Sequence, residues 1–254
     1  MKLILITQND PFYLPENLRR FVKMLPDSME VVGAVNFEVS PFGKRESFMK
    51  KAYKTLCVFG PQFFVHYAFR YLGHFFSRNM DINSLFAEHN IPLISLKYGI
   101  NHSDSLAILK GFNADILVSI AGNQIFKKPL IDLAPKGIIN LHTALLPKYR
   151  GLMPSFWVLK NEEKTTGVSV FFVDEGIDSG PIIIQKEVNI GDMSQEKLIK
   201  HTKYLGIDAL IEALICIETG KVSLIENDIS KGSYFTFPSR TDVRDFYRVG
   251  KRFF

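Results

Sequence analysis

The sequence predicts an α/β fold: a Rossmann-like, mostly parallel sheet flanked by helices, with a small C-terminal region of one helix and a β-hairpin. Three observations carry that reading. Short apolar runs recur at residues 2–7, 30–35, 91–96 and 115–121, each bounded by polar or turn residues as buried strands are. Segments with apolar residues at helical spacing lie between several of these runs. The stretch 137–190 opens on a further apolar run that ends in polar side chains, which is how strands of open α/β sheets meet a crevice.

In chain order, KLILIT at 2–7 gives way to Gln8, Asn9 and Asp10, a first strand ending on the crevice side. No G-x-G-x-x-G follows it, so a dinucleotide site of the usual kind is not supported. Residues 15–25 place Leu18, Phe21, Val22 and Leu25 at helical spacing with Pro15 in the first turn. Residues 30–35 (EVVGAV) form the second strand.

Residues 41–80 stand apart. Phe59, Phe63, Phe64, Tyr67, Phe69, Tyr71, Phe75 and Phe76 occur among Lys50, Lys51, Lys54, Arg70 and Arg78. A pair of long helices packing these rings on the sheet is the favoured reading, and attachment to a membrane surface is the sharper competitor. His66 and His74 are too interrupted to read as a metal pair. Residues 82–89 then read as a helix and 91–96 as a strand. Ser103, Asp104 and Ser105 cap a helix over 106–112, and 115–121 (DILVSIA) is a central strand leading into Gly122 to Phe126.

The run at Ile138 and Ile139 ends in Asn140 and His142. Strand side chains alternate, so those two share one face and Leu141 points to the other. Residues 145–151 follow, where Pro147 stops regular structure and Gly151 permits a turn. This loop reads as a mobile rim carrying Lys148 and Arg150, suited to an acceptor's phosphate or else simply solvated. A helix over 154–160 puts Trp157 in the core. Residues 168–173 are a strand running into the turn 174–178, with Asp178 just past its end and facing the same crevice. After Gly180 and Pro181 comes a strand at 182–190, then one long helix over 192–218, capped by Ser194 and kinked at Gly206. Residues 222–225 and 233–237 read as a small hairpin or two edge strands. A soft boundary near 190 divides a domain, 1–190, from a C-terminal region, 191–254.

An amide, an imidazole and a carboxylate on one crevice suit acyl transfer to nitrogen. Asn140 can donate to a tetrahedral oxyanion. His142 can add a donor or move a proton, and Asp178 can fix the imidazole tautomer or pass the proton on through water.

Composition narrows the class. Of 254 residues, 46% are hydrophobic and 22% charged, a globular profile with no apolar run of transmembrane length. A net charge of +5 is mildly basic; it favours folate polyglutamates, nucleotide phosphates or RNA without choosing among them. Cys57 and Cys216 each sit in an apolar run and make neither a disulfide framework nor metal spacing. They read as buried, reduced residues of a cytoplasmic protein, and no signal-peptide pattern opens the chain.

The motif Asn140-Leu-His-Thr-Ala-Leu-Leu-Pro-Lys-Tyr-Arg-Gly151, followed by Asp174-Glu-Gly-Ile-Asp-Ser-Gly-Pro-Ile182, resembles the formyltransferases that use N10-formyltetrahydrofolate. The resemblance covers about residues 90–190 and implies that Asn140, His142 and Asp178 are catalytic. It implies a pterin slot with Gln124, Ile125 and Phe126 on one side and Asp174, Glu175, Gly176 and Ile177 on the other. Lys148, Tyr149 and Arg150 are the substrate-binding candidates, and no metal is expected. The family includes methionyl-tRNA formyltransferase, glycinamide ribonucleotide transformylase and the sugar N-formyltransferases. With only residues 191–254 after the catalytic unit, the expectation is a bacterial sugar N-formyltransferase. Its acceptor would be a UDP- or dTDP-linked 4-amino-4,6-dideoxy sugar for a surface glycan such as lipopolysaccharide. The partners are then folate and a nucleotide-linked amino sugar, without nucleic acid or membrane insertion. The apolar C-terminal strands either form a homodimer interface or cover the chain's own sheet. The alternatives are the other two enzymes of the family, or a folate or nucleotide-sugar binding protein on the same fold.

Overall fold

A computed structural model describes residues 1–39, 47–76 and 81–254. Arg78 lies outside these, as do the side chains of His74, Phe75 and Phe76. A six-stranded sheet runs through the protein in the order β2-β1-β3-β4-β6-β7. Strands β1 (Lys2–Gln8), β2 (Glu30–Phe37), β3 (Ile116–Ile120) and β4 (Ile138–His142) are parallel. β6 (Thr165–Phe172) and β7 (Ile182–Asn189) add antiparallel strands at one edge.

Strand alternation sorts the apolar residues onto two faces. Leu3, Leu5, Val118, Ile139 and Leu141 meet α1 (Leu14–Met24), α4 (Ile82–Glu88) and α8 (Gln195–Glu218). Ile4, Ile6, Leu117 and Ile138 meet the other layer, which includes α5 (Ser103–Lys110) and α6 (Lys128–Ile131). The long helix α8 is capped by Ser194 as expected and is continuous through Gly206. The glycine has a packing role: a Cβ there would stand 2.8 Å from Leu141 Cδ2, so its absence lets α8 lie close on β4.

Residues 91–96 do not form a strand. Leu93 makes one isolated bridge with Ala34, because Pro92 has no N–H to donate and the edge ladder stops there. Of the two forms expected for the C-terminal strands, a hairpin or two edge strands, the hairpin is not formed, and two separate pairings stand in its place. Ile225 bridges Ile182, while β8 (Tyr234–Phe235) pairs in parallel with β5 (Arg150–Gly151).

Residues 48–76 do form two helices, α2 (Phe48–Phe59) and α3 (Pro61–Phe76). Their described rings pack chiefly on the C-terminal helices, with Val188 of β7 at the margin of the same cluster. Phe59 and Phe63 pack with Phe253, with Phe156 and Trp157 of α7 (Pro154–Lys160), and with Val243 and Phe246 of α9 (Arg240–Arg248). Trp157 is in the core, as predicted. Cys216 is half-buried and Cys57 is exposed, because the apolar run holding Cys57 turns only one side of α2 inward.

Candidate active site

A cavity of about 430 Å³ opens at the carboxyl ends of β1, β3 and β4. Asn140 and His142 come from β4, on the face opposite Leu141, and all three reach its wall. Asn140 lies beside Ser119 of β3, its register partner. The Asn140 side-chain amide hydrogen-bonds no described residue, so its N–H groups remain available to a ligand.

His142 is buried and held on both sides. Its Nε2 is 2.8 Å from the carbonyl oxygen of Tyr149. A carbonyl only accepts, so Nε2 carries a proton and donates it there. Nδ1 is left facing Asp178 Oδ2 at 3.6 Å. The backbone of Tyr149 therefore sets the tautomer, and Asp178 faces the nitrogen that is free to take a proton.

Asp178 is reached by an indirect route. Antiparallel pairing sets Phe172 against Ile139, so β6 ends below the crevice, and residues 173–178 climb back to it. That loop is stiff. Asp174 Oδ1 accepts from Gly176 N at 3.0 Å and from the Ser179 hydroxyl at 2.6 Å. Asn227 Nδ2 donates to the carbonyls of Asp178 and Gly180. Asp178 Oδ2 accepts from Gly151 N at 2.8 Å. Asp178, Ala121, Tyr149 and Met153 all have positive φ, with Gly151 at +93°, so left-handed backbone gathers around this cavity.

The remaining candidates divide. Gln124, Ile125, Phe126, Asp174, Gly176 and Ile177 line the cavity with the three central side chains. The Ile125 carbonyl is fixed by Asn101 Nδ2 at 2.7 Å. Glu175, Lys148, Tyr149 and Arg150 do not line it. The loop expected to be a mobile rim is pinned instead: Tyr149 N and Arg150 N donate to Ser233 Oγ and Ser233 O, both at 2.9 Å. The Tyr149 ring is buried against Phe235, its hydroxyl donates to Glu163 at 2.7 Å, and burial pushes its pKa up to about 12. Arg150 Nη1 donates to Ile177 O, and Lys148 is exposed.

Gln8, read from the sequence at the crevice end of β1, lines the cavity; sequence reasoning missed Asn17, Lys203 and Phe237, which line it too, and Ser119 beside Asn140. Ser119 Oγ is buried without a hydrogen-bond partner. Lys203 is half-buried, its pKa is lowered by burial against an opposing pull from Asp10, and its ammonium has no partner among the described residues. A signal existed for Lys203. It falls in phase with Ile207, Leu210 and Leu214 on α8, a charge inside an apolar stripe. Among the described residues, no group of three or more His, Cys, Asp or Glu is placed to hold a metal.

An amide donor, an oriented imidazole and a carboxylate stand around one cavity at the carboxyl ends of a Rossmann-like sheet, an arrangement whose chemistry suits acyl transfer. The chain belongs to the Formyl transferase family, which matches residues 87–214. It is 38% identical over 148 residues to a methionyl-tRNA formyltransferase of Kosmotoga olearia, covering 58% of this chain and 47% of that one. The chain thus spans about half the length of the curated relatives it matches. In fold it resembles a sugar N-formyltransferase from Shewanella, with a TM-score of 0.62 at 17% identity over 98% of this chain and 87% of the other. It also resembles a phosphoribosylglycinamide formyltransferase from Anaplasma phagocytophilum, with a TM-score of 0.63 at 16% identity over 94% and 99%.

Proposed function

We propose that this protein is an N-formyltransferase that moves the formyl group of N10-formyltetrahydrofolate onto a primary amine. The observation that carries the reading is the meeting of the unbonded Asn140 amide with the His142–Asp178 pair at one cavity. The neutral amine attacks the formyl carbon. Asn140 donates to the oxygen as it becomes an oxyanion. Nδ1 of His142, backed by Asp178, takes the ammonium proton and returns it to the folate nitrogen as the carbon–nitrogen bond to folate breaks. Every atom is accounted for without a covalent enzyme intermediate. The slot between residues 124–126 and Asp174, Gly176 and Ile177 takes the pterin, supported by apolar side chains and a fixed backbone carbonyl. Cytoplasmic residence accords with two free cysteines.

For the acceptor, sequence similarity favours the amine of methionyl-tRNA over the sugar amine expected from the sequence, since the relatives at 30–39% identity bear that enzyme's name. A nucleotide-linked amino sugar is the second reading, favoured by two residues of the cavity wall. Phe237 offers a ring for a base and Lys203 a cation for a phosphate, at one small cavity.

A competition assay separates these. The protein and N10-formyltetrahydrofolate are mixed with methionyl-tRNA, glycinamide ribonucleotide, and UDP- and dTDP-linked 4-amino sugars, and products are read by mass spectrometry. Formyl gain on methionyl-tRNA alone supports the first acceptor, and on one sugar the second. No formyl gain on any of them, with folate bound, would favour a binding protein.

A further inference from the structure

Among the described residues, Lys203 is the one lysine on the wall of the cavity that holds Asn140, His142 and Asp178. Helix α8 brings it there. Gly206 packs on Leu141, the residue between Asn140 and His142, so α8 meets β4 beside the catalytic pair. Lys203 stands three residues before Gly206 on that helix, about 4.5 Å back along its axis. Ile207, one turn after Lys203, lines the cavity as well. The flexible stem of Lys203 thus carries a primary amine into the same space as the three central side chains.

That amine is free. It makes no hydrogen bond or ion pair with a described residue, and Asp10 acts on it by charge alone. Burial outweighs that charge and favours the neutral form over what an exposed lysine shows. A neutral primary amine is the species that attacks a formyl carbon. The side chain therefore has the chemistry of the acceptor and stands where an acceptor must come.

We propose that Lys203 is itself a formyl acceptor: with N10-formyltetrahydrofolate bound and no other amine in the cavity, the protein formylates its own Lys203. This rests on the formyl-transfer reading above. Lys203 Nζ attacks the formyl carbon and a carbon–nitrogen bond forms, while Asn140 donates to the oxygen as it becomes an oxyanion. The bond from that carbon to folate N10 then breaks. The ammonium proton passes through Nδ1 of His142 to N10. The products are Nε-formyl-Lys203 and tetrahydrofolate, nothing is oxidised or reduced, and no further reactant is needed. An amide carries no charge, so the modified side chain withdraws a cation from the cavity wall.

The test incubates the full chain with N10-formyltetrahydrofolate and no acceptor, then maps its peptides by mass spectrometry. The Lys203 peptide should gain one carbon and one oxygen, while exposed lysines such as Lys148 stay unmodified over the same time. Asn140→Ala, checked for folding by its melting curve, should slow this labelling about 10²- to 10³-fold. In the wild type, excess tetrahydrofolate, which has the pterin but no formyl group, should suppress it. Labelling of Lys203 no faster than of Lys148, or untouched by both Asn140→Ala and tetrahydrofolate, would be uncatalysed solution chemistry and would overturn the proposal. The acceptor mixture is run in parallel. Formyl gain on an acceptor, with Lys203 unmodified when no acceptor is added, overturns this inference and leaves the transferase reading standing. No formyl on any acceptor or on Lys203, with folate bound, overturns both.

Discussion

The Asp178 carboxylate stands 3.6 Å from Nδ1 of His142 although β6, the strand leading to it, ends level with Ile139. The loop 173–178 closes that gap, and the Gly151 amide holds the carboxylate at its far end. Asp178→Asn retains an oxygen for Gly151 and removes only the charge facing the imidazole. We expect turnover to fall about 10²- to 10⁴-fold, the usual range for a proton-transfer group, with an unchanged melting temperature. Steady-state kinetics beside a thermal melt would check this, and turnover close to wild type would remove Asp178 from the proton path.

Asn140 offers a cleaner separation of rate from stability. Its amide has no partner among the described residues, so Asn140→Ala breaks no hydrogen bond among them. We expect a 10²- to 10³-fold loss in turnover, the typical effect of removing one oxyanion donor, with KM for folate nearly constant. A comparable fall in folate affinity would instead make Asn140 a ground-state binding residue.

Much of this site was legible in the sequence because it depends on local rules. Alternation on β4 places Asn140 and His142 together and sends Leu141 to α8, as the structure shows. What stayed hidden depends on long-range pairing. Nothing local says that β6 runs antiparallel, that the Tyr149 carbonyl accepts a hydrogen bond from His142 Nε2, or that residues 149–151 are fixed by Ser233 and β8. The rings of α2 and α3 were legible as helical, but their partners, Phe246 and Phe253, lie at the other end of the chain.

Gly151 tests the anchored rim. Its φ is +93°, and a Cβ would come 2.2 Å from Phe235 O, a backbone atom that cannot swing aside. Gly151→Ala must open the β5–β8 pairing, and strain plus overpacking should cost about 3 kcal/mol. Because the Gly151 N–H holds Asp178, turnover should fall with stability. Denaturant unfolding would measure the first and kinetics the second. A variant as stable as the wild type would show that the rim is looser than the hydrogen bonds imply.

Lys203 sets stability against binding. Burial lowers its pKa, so folding disfavours the ammonium that the unfolded chain holds freely. The sign follows from proton counts: the unfolded chain binds more protons between the lowered folded value and the ordinary one. Stability therefore rises as pH climbs through that window, and the penalty is fully present below it. Lys203→Met removes the penalty and keeps the stem, so the variant should melt higher than wild type at neutral pH, with the difference shrinking in the alkaline window. If the ammonium meets an acceptor's anionic group, the same variant should raise acceptor KM about tenfold, the worth of one charge-assisted hydrogen bond, and leave folate affinity unchanged. Melting curves across pH, read beside KM for both substrates, test the two halves separately. A variant that is stabilised but binds its acceptor normally would leave Lys203 a cost to the fold with no return at the site.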